Sequence, residues 1–422
     1  MTPDYDIAIV GAGIVGSSLA ARLAPHARVL LVDRDVRGLR GSTGHAPGFV
    51  GQLNSRAPLT ELAKRSVEAY RQIAGGFNPV GGLEVAYTIE ELEGMEPRAV
   101  LARSRGLRAE IVGAEQAHTL APAFVENSAG ALYFPDDGTA NARVITAAYQ
   151  NTAISCGARF LDANVLAVEG NAIVLSNGTI SATIIVVCTG VWSGQLLSLP
   201  AVVSVAHPYA YSATRATRPN SPFVRFPSAH VYARDHGSVD GVGSYDHDPV
   251  HVSTRAMDRH HTATGAWDDV FDDAITRALA MLPTHTAAGF IGMTTADKGD
   301  AAEGGEKADA AFAAMVKSRE EGTAYAFNGL FQVTPDGMPL VGRVREGVYA
   351  AVGVWVTHAA GATGLIADMI LQDLGKGEMK DAELREALDP LRFGDREVVD
   401  TALRTYNDIW AKEHAQVQGD GL

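Results

Sequence analysis

Residues 5–24, YDIAIVGAGIVGSSLAARLA, followed by RVLLVDRD at 28–35, constrain this chain more than any other stretch. An apolar run enters a glycine turn, a helix of small residues leaves it, and a second apolar run ends in an acid. Gly11, Gly13 and Gly16 have the G-x-G-x-x-G spacing, and Asp33 lies about twenty residues on, where a ribose-binding acid belongs. Glycines let the backbone reach a pyrophosphate, and the helix N-terminus supplies N–H groups and positive potential. A dinucleotide site on a strand–turn–helix unit is therefore expected at the start of the chain.

At 422 residues the chain exceeds what one hydrophobic core usually supports, so two intimate lobes are expected. After the first unit, PLTELAKRSVEAYRQI reads as an amphipathic helix with Leu62, Val67 and Tyr70 on its apolar face. GGLEVAYT reads as a strand entering a second lobe, and ARVITAAYQNTAISCGARFLDA as a helix with a strand behind it. ATIIVVCTGVWSG reads as a buried strand opening into a glycine turn. Short strands between breakers fill 201–260, and DDVFDDAITRALAMLP is a helix ended by Pro283. The Ala-, Gly- and charge-rich 294–322 reads as a mobile loop followed by a short surface helix. The fold expected is α/β: an interrupted Rossmann-type domain (1–75, 142–200 and 325–422, with a C-terminal tail) and an α+β substrate domain on a mostly antiparallel sheet (76–141 and 201–324). Such interruption does not suit a simple NAD dehydrogenase; it suits a flavoprotein whose later segments return to the first sheet.

The formal charge of −14 argues against a nucleic-acid partner or an anionic membrane surface. The weakly polar run VYAAVGVWVTHAAGATGLIADMIL contains His358 and Asp368 and is broken by Gly361 and Gly364, which argues against a membrane span. MTPDYD lacks the basic and apolar regions of a secretory signal, so a cytoplasmic location is expected. Cys156 and Cys188 make no disulfide framework and are expected as buried thiols. His247, His251, His260 and His261 lack the spacing and companion ligands of a metal site, so none is expected. Arg215, Arg225 and Arg234 are candidates for holding a substrate carboxylate through bidentate guanidinium contacts, with surface salt bridging as the alternative.

The loop GSTGHAPGFV, 41–50, places His45 among small residues. The residues alone leave it either a turn-bonding imidazole or a cofactor contact. That loop, together with IVGAGIVGSSLA, HVYARDHGSVDGVGSY, FQVTPDGMPLVGR and AAVGVWVTHAAGATG, resembles the D-amino-acid-oxidase-like superfamily of FAD amine oxidoreductases. Within it, the chain looks like the dimethylglycine oxidase and sarcosine dehydrogenase branch, from near residue 5 to the DPLRF that ends near 395. The resemblance implies FAD bonded covalently through its 8α-methyl to His45, and His207 and Tyr232 over the flavin as the catalytic pair. On base rates alone Tyr232 also reads as a buried strand tyrosine and His207 as a hydrogen-bonded loop histidine.

The resemblance also implies that the strand Val352 to Val356 ends beside the flavin and that the next helix N-terminus points at its N1–C2=O edge. Trp355 and His358 would line the ring, with Trp355 open to a core role, and Asp336 and Gly337 mark a turn near the cofactor. Ser42, Thr43, Val165, Gly190, Trp192 and Thr357 complete the candidate cofactor site. The activity implied is oxidation of a C–N bond in a small amine or amino acid, of the sarcosine or dimethylglycine type. Hydride passes to flavin N5, the iminium is hydrolysed, and oxygen reoxidises the flavin to give peroxide. A dehydrogenase using another acceptor, or a partner-dependent flavoprotein subunit, is the alternative. Dimethylglycine oxidases carry a folate-dependent second half; the chain stops where it would begin, so no folate chemistry is expected.

Overall fold

The apolar runs Tyr5–Val10, Val29–Asp33 and Gly178–Val187 become neighbouring parallel strands, buried on both faces over the stretches 7–10, 29–32 and 184–187. A computed structural model of the chain describes residues 2–199, 201–300, 304–378, 380–394 and 398–415. The strand Arg159–Asp162 extends the parallel set beyond Val29–Asp33, and Val348–Val352 extends it beyond Gly178–Val187. With antiparallel additions at its edges this sheet has eight strands. Side chains alternate between two cores. Ile7, Ile9 and Leu31 meet helices Ile14–Leu23, Ala142–Ser155 and Ala359–Asp373 on one face, while Ala8, Val10 and Val32 pack on the other. Gly16 permits that packing: a Cβ there would lie 1.9 Å from the Gly11 carbonyl oxygen.

A second sheet of eleven strands is antiparallel except where Phe223–Phe226 meets Gly82–Ala86 and Thr294–Thr295 meets Tyr325–Val333. Its longest ladder joins Val203–Tyr211 to Tyr325–Val333. The segment 325–333, counted with the nucleotide portion by the sequence reading, therefore runs in this sheet; we propose placing the boundary after Val333. Glu84 and Arg98 form a bidentate ion pair at 2.7 and 2.8 Å, each only 2% exposed.

Three local expectations are corrected. The helix placed in 294–322 is not short: Glu306–Glu321 runs sixteen residues and buries Ala308, Ala311 and Met315. Its alanines are strong helix formers, which carries the helix further than expected; residues 301–303 lie outside the described residues. Cys156 is exposed at the end of helix Ala142–Ser155, where Gly157 (φ +92°) turns the chain back into the sheet, whereas Cys188 is buried. The strand expected at Val352 to Val356 instead spans Val348–Val352, because Gly353 adopts φ +67°, a left-handed conformation that stops a strand. No described helix is long and apolar enough to cross a membrane.

Candidate functional site

A cavity of about 490 Å³ runs between the two sheets, within the usual range for a ligand site. Gly11 and Gly13 form its floor where the first strand hands over to the first helix. Gly11 needs its φ of +104°, and a Cβ there would meet the Cys188 carbonyl oxygen at 2.4 Å. Asp33, at the end of its strand, accepts the Ala12 N–H at 2.7 Å and the Asp35 N–H at 3.1 Å. Burial raises its pKa against those two donors. Thr43 crosses to the helix start, its hydroxyl accepting the Ile14 N–H at 3.2 Å, and Ser42 donates to the Leu330 carbonyl at 2.6 Å.

His45 is buried in the cavity wall, and neither ring nitrogen has a hydrogen-bond partner among the described residues. It stands edge-on to Phe327 at 5.7 Å, and Gly329 leaves it room, since a Cβ there would come within 3.2 Å of its ring. Burial drives its pKa down to about 3, with Arg319 and Arg143 adding to the effect, so the imidazole stays neutral.

His207 and Tyr232 meet on adjacent parts of the antiparallel sheet. The His207 Nε2 lies 2.6 Å from the Tyr232 hydroxyl, and both residues border the cavity. Burial holds the imidazole well below its ordinary pKa and the phenol well above its own. Val165, Gly190, Trp192, Asp336, Gly337, Trp355, Thr357 and His358 border the same cavity. Gly16 alone of the candidate residues does not, which fits its packing role. The Trp355 indole donates to the Gln332 carbonyl at 3.0 Å, the Gln332 side chain accepts the Gly353 N–H at 3.0 Å, and Thr357 donates to the Phe49 carbonyl at 3.0 Å. These bonds fix the turn Val356–His358 that opens helix Ala359–Asp373.

Of the three arginines, only Arg225 borders this cavity, 3.6 Å from Glu84. Arg215 is committed to Asp240 at 2.7 Å and Asp235 at 2.9 Å, so it is withdrawn as a carboxylate clamp. Arg234 donates to the Pro47 carbonyl at 2.6 Å and faces a second cavity. The histidines weighed as a metal set are dispersed: His261 bonds Asp309, buried His260 bonds the Thr264 carbonyl, and His247 bonds the Tyr406 hydroxyl. Sequence reasoning missed Arg34, whose guanidinium lies 4.4 Å over Trp192, and Gln332, whose contacts carry no motif.

His358 and His207 have a consequence for stability. Burial lowers the His358 pKa to about 4. Below an ordinary histidine pKa of about 6.5 the unfolded chain takes up protons that the folded chain refuses, so stability falls as pH drops. For His358 this is a loss of about 2 kcal/mol between pH ~7.5 and ~5, and His207 acts in the same direction. Urea unfolding at the two pH values should show this, and His358→Gln should make the decline shallower; equal slopes for the two proteins would refute a neutral His358.

A glycine turn on a parallel sheet, an acid at the second strand and a His–Tyr pair on an antiparallel sheet border one cavity, an arrangement that suits a dinucleotide-dependent oxidoreductase. The chain belongs to the DAO family of FAD dependent oxidoreductases, whose family model matches residues 6–369. It is 25% identical over 308 residues to mitochondrial sarcosine dehydrogenase of Mus musculus, covering 66% of this chain and 33% of that one. It is 28% identical over 216 residues to glycine oxidase of Geobacillus kaustophilus (46% and 57% covered). It is also 28% identical over 209 residues to 4-methylaminobutanoate oxidase (formaldehyde-forming) of Paenarthrobacter nicotinovorans (46% and 25%). The match thus spans between a quarter and about three-fifths of these relatives' lengths. Among solved structures, the fold is similar to L-proline dehydrogenase from P. horikoshii, with TM-score 0.70, 18% identity, and 93% and 98% of the two chains covered. It is also similar to glycine oxidase from G. kaustophilus, with TM-score 0.67, 22% identity, and 93% and 99% covered.

FAD fits the residues present. The Gly11–Gly13 turn borders the cavity where a pyrophosphate would approach, and His45, in the wall of the same cavity, keeps two buried ring nitrogens without hydrogen-bond partners among the described residues.

Proposed function

We propose that the chain oxidises a C–N bond in a small amine or amino acid, of the N-methyl or N-alkyl type, with FAD bonded covalently to His45 and oxygen as acceptor. The observation that carries this reading is that the His207–Tyr232 pair faces the same cavity as the glycine cradle and His45. The names of the relatives support it: sarcosine, glycine and 4-methylaminobutanoate are all small amines bearing a carboxylate.

When bound, FAD supplies the acceptor for the hydride on the carbon beside nitrogen. The chain's residues prepare the substrate. Arg225 pairs its carboxylate, and Tyr232 meets its nitrogen, which must lose a proton before its lone pair can stabilise an iminium. The turn Val356–His358 and the helix behind it present backbone N–H groups and positive potential to the cofactor side of the cavity. Gly11 and Gly13 hold the pyrophosphate, and Asp33 the ribose. Water then hydrolyses the iminium, so an N-methyl group leaves as formaldehyde.

The test is a panel of N-methyl and primary amino acids on the purified protein, following flavin reduction anaerobically and peroxide aerobically. Reduction with peroxide is the expected result. Reduction without peroxide would make it a dehydrogenase, a reading favoured by its similarity to sarcosine dehydrogenase. A flavin that no amine reduces would overturn the proposal.

A further inference from the structure

Behind the cavity wall the His207–Tyr232 contact continues. The His207 Nδ1 lies 2.7 Å from the Tyr406 hydroxyl, and that hydroxyl lies 2.7 Å from the His247 Nε2. The His247 Nδ1 lies 2.8 Å from the Asp248 backbone carbonyl, at the exposed end of the series. Tyr406 comes from the C-terminal helix Val399–Ala415 and is wholly buried; His247 is half-buried, and neither borders the cavity. The rings are held in place by one another: Tyr245 lies 4.4 Å from His207 and 5.2 Å from Tyr406.

The outer end fixes the direction of every bond. A carbonyl oxygen only accepts, so the His247 Nδ1 carries the proton and, in a neutral ring, its Nε2 accepts. Tyr406 must then donate to His247, which leaves the Tyr406 oxygen to accept from the His207 Nδ1–H. The His207 Nε2 in turn accepts from Tyr232. Burial keeps both imidazoles neutral, as this assignment requires. The Tyr232 oxygen, donating its one proton to His207, keeps both lone pairs, and Tyr232 borders the cavity.

We propose that Tyr232, His207, Tyr406 and His247 form a polarised proton path that presents the Tyr232 oxygen to an ammonium substrate and carries its proton to solvent at His247. Tyr406 and His247 are positioning residues, acting through His207. The proposal rests on the amine reading above. As the substrate nitrogen gives a proton to the Tyr232 oxygen, the Tyr232 proton passes to His207 Nε2. The His207 Nδ1 proton passes to Tyr406, and the Tyr406 proton to His247 Nε2. His247 then releases its Nδ1 proton to water, leaving a neutral amine; no electrons move. Reduction of oxygen to peroxide later takes one proton back, and its inward passage along the same groups restores the starting tautomers.

Two measurements test this. In FAD-loaded protein labelled with ¹⁵N-histidine, with signals assigned from His207→Gln and His247→Gln, both rings should be neutral and protonated on Nδ1. An Nε2–H tautomer or an imidazolium at either position would overturn the path, whatever the substrate. Tyr406→Phe keeps the ring and removes the hydroxyl; anaerobic flavin reduction by a reactive amine should slow on the order of tenfold or more, with an altered solvent isotope effect and unchanged FAD content. Reduction at the wild-type rate with the same isotope effect would overturn the path while leaving amine oxidation standing. A wild-type flavin that no amine reduces would overturn the substrate reading, and with it the path's use, while the tautomers would still report the polarity.

Discussion

Acid precipitation of the protein should carry its yellow colour into the pellet, and His45→Ala should leave all of the flavin in the supernatant. A buried polar atom without a partner costs about 1–3 kcal/mol, so an imidazole with two of them needs a reason to sit where it does. His45 has both nitrogens unpartnered among the described residues and a pKa lowered to about 3, which keeps a lone pair available at any working pH. Bonding one nitrogen to the flavin removes half of that deficit. Noncovalent binding would instead leave the wild-type pellet colourless after acid, while the cradle at Gly11 and Gly13 would still hold FAD in the native protein.

Arg225→Ala should separate carboxylate-bearing substrates from plain amines. Removing one partner of a buried charge pair costs about 2–4 kcal/mol, roughly 30- to 1000-fold in kcat/KM, and the loss should fall on amino acids alone. The variant should fold, because Glu84 keeps its bidentate bonds to Arg98 when Arg225 is gone. Equal losses for an amino acid and for the amine lacking its carboxylate would remove Arg225 from substrate recognition.

The glycine turn and its flanking elements were legible because their parts are local: Gly11, Gly13, Gly16 and Asp33 lie within one strand–turn–helix–strand. The placement of His45, His207 and Tyr232 on one cavity followed from resemblance, not from spacing. What remained hidden is what only the folded chain brings together. Tyr406 reaches His207 across 199 residues, and His247, weighed as a metal ligand, turns out to bond Tyr406. Salt bridging of Arg215 was foreseen, but its partners Asp235 and Asp240, which pair across a hairpin, could not be named from the sequence. The misplaced strand end came from a single glycine, Gly353, whose positive φ no pattern of apolar residues records.

The central parallel strands also set the order in which this protein can be made. Tyr5–Val10 pairs with Gly178–Val187, and that strand pairs in turn with Val348–Val352. During synthesis the first strand therefore waits for one neighbour until well over a hundred further residues have emerged, with a hydrophobic edge open to other chains. Such long-range pairing folds slowly. Aggregation during overexpression is thus a hazard of the cradle itself, and slower translation or an added chaperone should raise the soluble yield more than any change to the cavity.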